Sequence, residues 1–249
     1  PHPRVGVFSH TGKPAHYVIA ALPAGQITTA QMHGMADLSE EYGNGEIRLT
    51  TWQNVLFPHV SNFRLDEFLS KLESLGLHIK QSNLRSSIVA CTGSSHCPYG
   101  KADVKRHARE LADYMDNRLD LDSPLNIHFT GCPASCAQHY VGDVGLLATS
   151  SHPDEKSYHV FVGGGYGRNR SLGRHVASNL PATKLNKAIE GLLRTFIDQR
   201  QKKECFRDFA NRQDIDSLAS ALNGKGGQNC ISPSSMEQPT QQRFLTAND

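Results

Sequence analysis

Hydrophobic positions along the chain change period several times, and each change marks a predicted element. From Val5 to about Leu75, short apolar runs alternate with amphipathic stretches. "HYVIAAL", starting at His16, predicts a strand. "TTAQMHGMADLSEEYG" predicts a helix with Thr28 or Thr29 as N-cap and Gly43 as its stop. "EIRLTTWQNVLFPHV" alternates with period two through Ile47, Leu49 and Thr51, breaks near Gln53 and Asn54, and resumes at Val55 and Phe57. "RLDEFLSKLESLGL" places Leu65, Phe68, Leu69 and Leu72 on one helical face and ends at Gly76. The order β-α-β-β-α predicts that residues 1–80 form a two-layer α+β sandwich with a ferredoxin-like fold.

A polar stretch, "HIKQSNLRSS", precedes a second α+β region over residues 81–222. It opens with the short strand "IVAC", followed by a helix from about Lys101 to Arg118, whose Val104, Ala108, Leu111, Ala112 and Met115 recur at helical spacing. "NIHFTG" is a further strand, "DVGLLATS" and "SYHVFVGGG" read as a pair of strands, and "ATKLNKAIEGLLRTFIDQR" and "DIDSLASAL" as helices. From Asn223 to Asp249 the composition turns to Gly, Ser, Gln, Pro and Asn without periodicity, which predicts a disordered tail or linker.

Composition narrows the function classes. The 249 residues suffice for two cores without disulfide support. Charged residues make up 20% of the chain and the formal charge is +2, so neither nucleic acid nor a membrane surface is called for. The longest apolar stretch, "YVIAAL", is far too short to span a bilayer, and "PHPRVGVF" lacks the order of a signal peptide, so a cytoplasmic protein is expected. The absence of an initial Met suggests a processed chain or part of a longer one.

Four of the six cysteines fall into two tight pairs, "CTGSSHC" at Cys91 and Cys97 and "TGCPASC" at Cys132 and Cys136. Without export signals, such pairs point to metal chemistry rather than disulfides. In each pair a strand ends in a loop of small residues, where Gly93 and Gly131 let backbone N–H groups turn toward one point. Such a nest suits an iron-sulfur cluster, which carries net negative charge and is tuned by hydrogen bonds to its sulfurs. A structural zinc site is the rival, although zinc favours tighter cysteine spacings and less room between ligands.

The two motifs resemble the cluster signature of the sirohaem-dependent nitrite and sulfite reductases. "VGVFSHTGKPAHYVIAALPAGQIT" and "GEIRLTTWQNVLFPHV" are similar to that family's ferredoxin-like half-domain, and "QHYVGDVGLLATS" and "YHVFVGGGYGRNRSLGRHV" to the strands that follow its cluster loops. The resemblance runs from about Val5 to Leu222. It implies a 4Fe-4S cluster on Cys91, Cys97, Cys132 and Cys136, with Cys136 also ligating the iron of sirohaem. It implies further a ferredoxin or flavoprotein donor and a small oxyanion substrate: nitrite reduced to ammonia or, as the alternative, sulfite to sulfide. A precorrin-type monooxygenase sharing the fold, and a non-catalytic iron-sulfur electron-transfer module, are the other readings.

Departures from the family pattern qualify the resemblance. Family members contain two related halves, and the substrate-gripping cations come largely from the first. There, an Arg follows the two threonines where this chain has Trp52. This chain is therefore expected to be the second half, completed by an N-terminal half or a partner chain that supplies the catalytic cations. Ala134 stands where many relatives have Asn between the cysteines. Arg48, Gln53 and Asn54 are candidates for contact with the macrocycle, against a reading in which Gln53 and Asn54 only build a turn. Lys101, Lys105 and Arg106 are candidates for a donor-docking or carboxylate-binding patch, against a solvated helix face. "GGGYGRN", with Gly163, Gly165 and Arg168, reads as a tight turn rather than a nucleotide loop. Cys205 and Cys230 are isolated and receive no role.

Overall fold

A computed structural model describes residues 5–12, 14–149, 155–167 and 170–224. The first region contains β1 (Gly6–Ser9), β2 (Ala15–Ala20), α1 (Thr29–Tyr42), β3 (Arg48–Leu49), β4 (Val55–Ser61) and α2 (Leu65–Ser74). Its antiparallel sheet has the order β1-β2-β4-β3. A capping box starts α1: the Gln31 amide donates to Thr28 Oγ1 at 3.1 Å, and the Thr28 amide donates back to Gln31 Oε1 at 2.9 Å. The helix stops at Gly43, as its sequence predicts. Met35, Leu38 and Tyr42 of α1 and Phe68 and Leu72 of α2 pack on Val18, Val55 and Phe57 of the sheet.

The predicted strand through Thr51 is shorter than its alternation suggests. Only Arg48 and Leu49 pair with β4, and both are exposed. The chain then turns, with the Thr50 amide donating to the Asn54 carbonyl at 2.9 Å and the Gln53 amide to the Thr50 carbonyl at 3.0 Å. Gln53 sits in the left-handed region at φ 59°. The strand β1 adds an element that periodicity alone did not delimit.

The second region contains β5 (Ile88–Ala90), α3 (Val104–Asp116), β6 (Ile127–Thr130), β7 (Val144–Thr149), β8 (Ser157–Val162), β9 (Arg174–Pro181), α4 (Ala182–Gln199), α5 (Phe206–Arg212) and α6 (Ile215–Leu222). Its sheet runs β5-β6-β7-β8-β9; β5, β6 and β7 are mutually parallel, and β8 and β9 continue it antiparallel. Leu111, Met115, Ile127, Phe129, Leu146, Val160, Ile189, Leu192 and Phe209 belong to one buried cluster built from the sheet and its helices. Burial of each such side chain stabilises the fold by about 1.5–3 kcal/mol. α3 starts at Val104 rather than near Lys101 because Asp103 caps it, accepting from the Arg106 amide at 3.2 Å. Most of the predicted tail, residues 225–249, lies outside the described residues, as do Cys230 and Arg168. Among the described residues, no helix is long and apolar enough to cross a membrane.

Candidate functional site

Parallel pairing brings the two cysteine loops together. β5 and β6 are neighbours with Ala90 opposite Phe129, so their C-terminal ends lie side by side. Cys91 follows β5 directly, and its amide extends the pairing by donating to the Phe129 carbonyl at 3.0 Å. One residue past β6, the Gly131 amide donates to Cys91 Sγ at 3.1 Å. In return the Lys101 amide donates to the Gly131 carbonyl at 2.8 Å. The loop from Cys91 to Gly100 is thus stitched to the residue preceding Cys132.

Two glycines make this approach possible. Gly93 has φ +70°, and a Cβ there would lie 2.9 Å from both the Ala102 carbonyl oxygen and the Val104 nitrogen. A Cβ on Gly131 would press on Cys91 Sγ at 3.3 Å. Within the first loop the Cys97 amide donates to the Gly93 carbonyl at 3.0 Å, and the Gly100 amide to the Cys97 carbonyl at 3.1 Å.

The second pair lies in the connection from β6 to β7, which returns to a parallel neighbour without an intervening α-helix. Ser135 and Gln138 take left-handed conformations, with φ 57° and 54°. Two buried histidines brace this loop on either side of Cys136. His128 Nδ1 donates to the Ala137 carbonyl at 2.7 Å, and His139 Nδ1 bonds Ser135 Oγ at 2.9 Å. Burial holds both imidazoles below their ordinary pKa, His139 down to about 4, so both are neutral near pH 7. Cys91, Cys97 and Cys132 are half-buried, whereas Cys136 is exposed. Among the described residues, no three Cys, His, Asp or Glu side chains gather closely enough to hold a single metal ion.

The remaining candidates separate. Gln53 and Asn54 do build the turn, but their side chains also reach inward. Gln53 Nε2 donates to the Ala90 carbonyl at 2.8 Å and Gln53 Oε1 accepts from the Ala90 amide at 3.0 Å, next to Cys91. Asn54 is buried; its Oδ1 accepts from the Leu22 amide at 3.2 Å, and its Nδ2 has no partner among the described residues. Arg48 is exposed and paired with Glu46. Lys101, Lys105 and Arg106 do not form one patch. Lys101 is exposed, Arg106 pairs with Glu110 at 2.7 Å, and Lys105 turns inward to the carbonyls of Ala24 and Ala90. Gly163 follows β8 at φ +80°, and Gly165 and Ser171 form an isolated antiparallel bridge.

Several contributors escaped sequence reasoning. Trp52 packs against Tyr166 at 5.6 Å and edge-on to His128 at 6.1 Å between ring centroids. A histidine inside the apolar strand "NIHFTG" was a visible signal for His128; nothing in the sequence marked His139. Asp143 is also buried. Its Oδ2 accepts from the backbone and side-chain nitrogens of Asn126 at 2.9 and 2.6 Å, and burial pushes its pKa up to about 6.

Comparison with known proteins bears on the whole arrangement. Residues 10–75 match the nitrite/sulfite reductase ferredoxin-like half domain, and residues 81–229 match the nitrite and sulphite reductase 4Fe-4S domain. The chain belongs to the sirohaem-dependent nitrite and sulfite reductase family. Among relatives, it is 33% identical over 195 residues to the chloroplastic ferredoxin–nitrite reductase of Zea mays, covering 76% of this chain and 34% of that one. It is 31% identical over 205 residues to ferredoxin sulfite reductase 2 of Mycolicibacterium paratuberculosis, covering 78% and 37%. The solved structure of the Mycobacterium tuberculosis NirA protein superposes with TM-score 0.81 at 27% identity, over 88% of this chain and 42% of that one. The chain thus spans little more than a third of the length of these curated relatives.

A 4Fe-4S cluster and sirohaem are the cofactors of this family. The residues present fit the cluster. Four thiols stand on loops kept narrow by glycines, and a main-chain N–H already donates to one sulfur.

Proposed function

We propose that this chain is the cluster-bearing half of a ferredoxin-dependent nitrite reductase. The observation that carries the reading is the hydrogen bond from Gly131 to Cys91, which ties the two cysteine loops at the ends of adjacent parallel strands. Cys91, Cys97, Cys132 and Cys136 would hold the cluster, and Cys136, the exposed thiol, would also ligate the sirohaem iron. When bound, these groups supply a one-electron relay to a small oxyanion. Overall, nitrite takes six electrons from reduced ferredoxin and eight protons to give ammonium and two waters.

This chain's own residues orient and shield. His128 and His139 fix the carbonyl and hydroxyl flanking Cys136, so its thiol keeps one direction. Their neutral imidazoles add no positive charge that would compete for it. Gln53 and Lys105 hold the peptide before Cys91. Arg48 is exposed beside Glu46 in this chain, and the cations that grip the substrate would come largely from an N-terminal half or a partner chain.

Sulfite is the second reading, favoured by the 31% identity to a ferredoxin sulfite reductase. Anaerobic loading with iron, sulfide and sirohaem, followed by turnover of nitrite and of sulfite with reduced ferredoxin or viologen, tests both. A cluster with sirohaem bands that shift on adding nitrite supports the reading. Full loading with no ligand-dependent shift would leave an electron-transfer module, and cluster binding with no sirohaem uptake would favour the precorrin-type monooxygenase.

A further inference from the structure

Lys105 occupies the first turn of α3 and points away from solvent into the junction of the two regions. Its ammonium donates to the carbonyl of Ala24, a left-handed residue at φ 50° in the first region, and to the carbonyl of Ala90 at 3.2 Å. Gln53 grips the same Ala90 residue from the first region. Three segments therefore meet at the last residue before Cys91.

Arg106 pairs with Glu110, and Arg85 with Asp113 and Asp116 at 2.5 and 2.6 Å, whereas the charge of Arg109 acts on Lys105 in the same direction as burial. Among the described residues, Lys105 has no carboxylate in ion-pair reach, although it is half-buried. Burial pulls its pKa down, and negative charge on Cys91 works in the opposite direction. A half-buried ammonium bonded only to carbonyls lacks a counter-ion, and four thiolates holding a cluster would supply one.

We propose that Lys105 is a positioning residue that holds the peptide before Cys91 and, as a fixed positive charge beside the cluster, raises its reduction potential. The inference rests on Cys91 being a cluster ligand. Adding an electron to an anionic cluster deepens its negative charge, so a nearby cation favours the reduced form. The class of donor able to reduce the cluster is then set partly by this lysine.

The test is a redox titration of the cluster-loaded chain followed by electron paramagnetic resonance, comparing wild type with Lys105→Met, Lys105→Arg and Gln53→Ala. At the wild-type midpoint, Lys105→Met is expected to shift the oxidised-to-reduced ratio toward oxidised by about tenfold, equivalent to about 59 mV for one electron. Lys105→Arg should keep most of the wild-type ratio, and Gln53→Ala, which removes hydrogen bonds from the same residue but no charge, should shift it less than Lys105→Met. An unchanged ratio in Lys105→Met, or an equal shift in Gln53→Ala, overturns the proposal. If Lys105→Met folds but takes up no cluster, uptake with a near-wild-type potential in Lys105→Arg supports the charge role, and failure there overturns it. Failure of wild type to take up a cluster, or full iron retention in Cys91→Ser, removes the ligand reading itself, and the proposal falls with it.

Discussion

The Gln53 side chain meets both hydrogen-bonding groups of Ala90: the Ala90 amide donates to Oε1 at 3.0 Å, and Nε2 donates to the Ala90 carbonyl at 2.8 Å. Ala90 ends β5, the edge strand of the second sheet, so an amide side chain from the first region takes the place of a further strand. Each net hydrogen bond of this kind contributes about 0.5–1.5 kcal/mol. Gln53→Ala is expected to lower stability by about 1–3 kcal/mol in urea unfolding and to slow cluster uptake. A variant with unchanged midpoint and uptake would show that the two regions do not depend on this contact.

The cysteine assignment makes a sharp contrast. Serine at Cys91, Cys97, Cys132 or Cys136 is expected to abolish the intact cluster, read as iron and acid-labile sulfide per chain and as loss of its visible absorption. Cys205 is half-buried at the start of α5, and its thiol is pushed up by burial, so Cys205→Ser should keep full iron content. Native spectra in Cys136→Ser would rule out its assigned place.

Gly93 is held at φ +70° with the Ala102 carbonyl and Val104 nitrogen closing on the space a side chain would need. The left-handed conformation alone costs a residue with a Cβ about 1–2 kcal/mol. Gly93→Ala is therefore expected to lower the melting temperature and cut iron uptake, because the Cys91–Cys97 loop must shift. Wild-type iron content at wild-type melting temperature would contradict this account.

Asp143 predicts a pH dependence with a definite sign. Its folded pKa, pushed up to about 6 chiefly by burial, lies above its ordinary value of 3.8, so the folded state binds the extra proton between these limits. The stability this group contributes is fully present below about pH 3.8 and is lost as pH rises through about 6. Relative to Asp143→Asn, the wild type should lose stability over that window in unfolding measured at a series of pH values. Parallel curves for the two proteins would count against a proton on Asp143.

Much of the fold was legible because its signals are local. The capping residue Thr28, the stop at Gly43, the apolar face Phe68 and Leu72, and the helical repeat of α3 all act within a few residues. The strand ending at Leu49 was overestimated because alternation continues into residues whose backbone instead closes a turn on Asn54. Gln53 illustrates a different limit. Its place in a turn followed from its neighbours, but its side-chain partner lies 37 residues away.

By itself, the sequence determined most of the elements, though not β1, β9 or α5, together with the two-region α+β organisation and the two pairs of thiols on small-residue loops, because period, caps and cysteine spacing are properties of short stretches. Only the tertiary structure decided that β5 and β6 lie side by side and parallel, that Gly131 reaches Cys91, that His128 and His139 brace the second loop, and that Lys105 turns inward rather than toward solvent. These relationships join residues distant along the chain. They arise from strand pairing and burial, which local pattern constrains but does not choose.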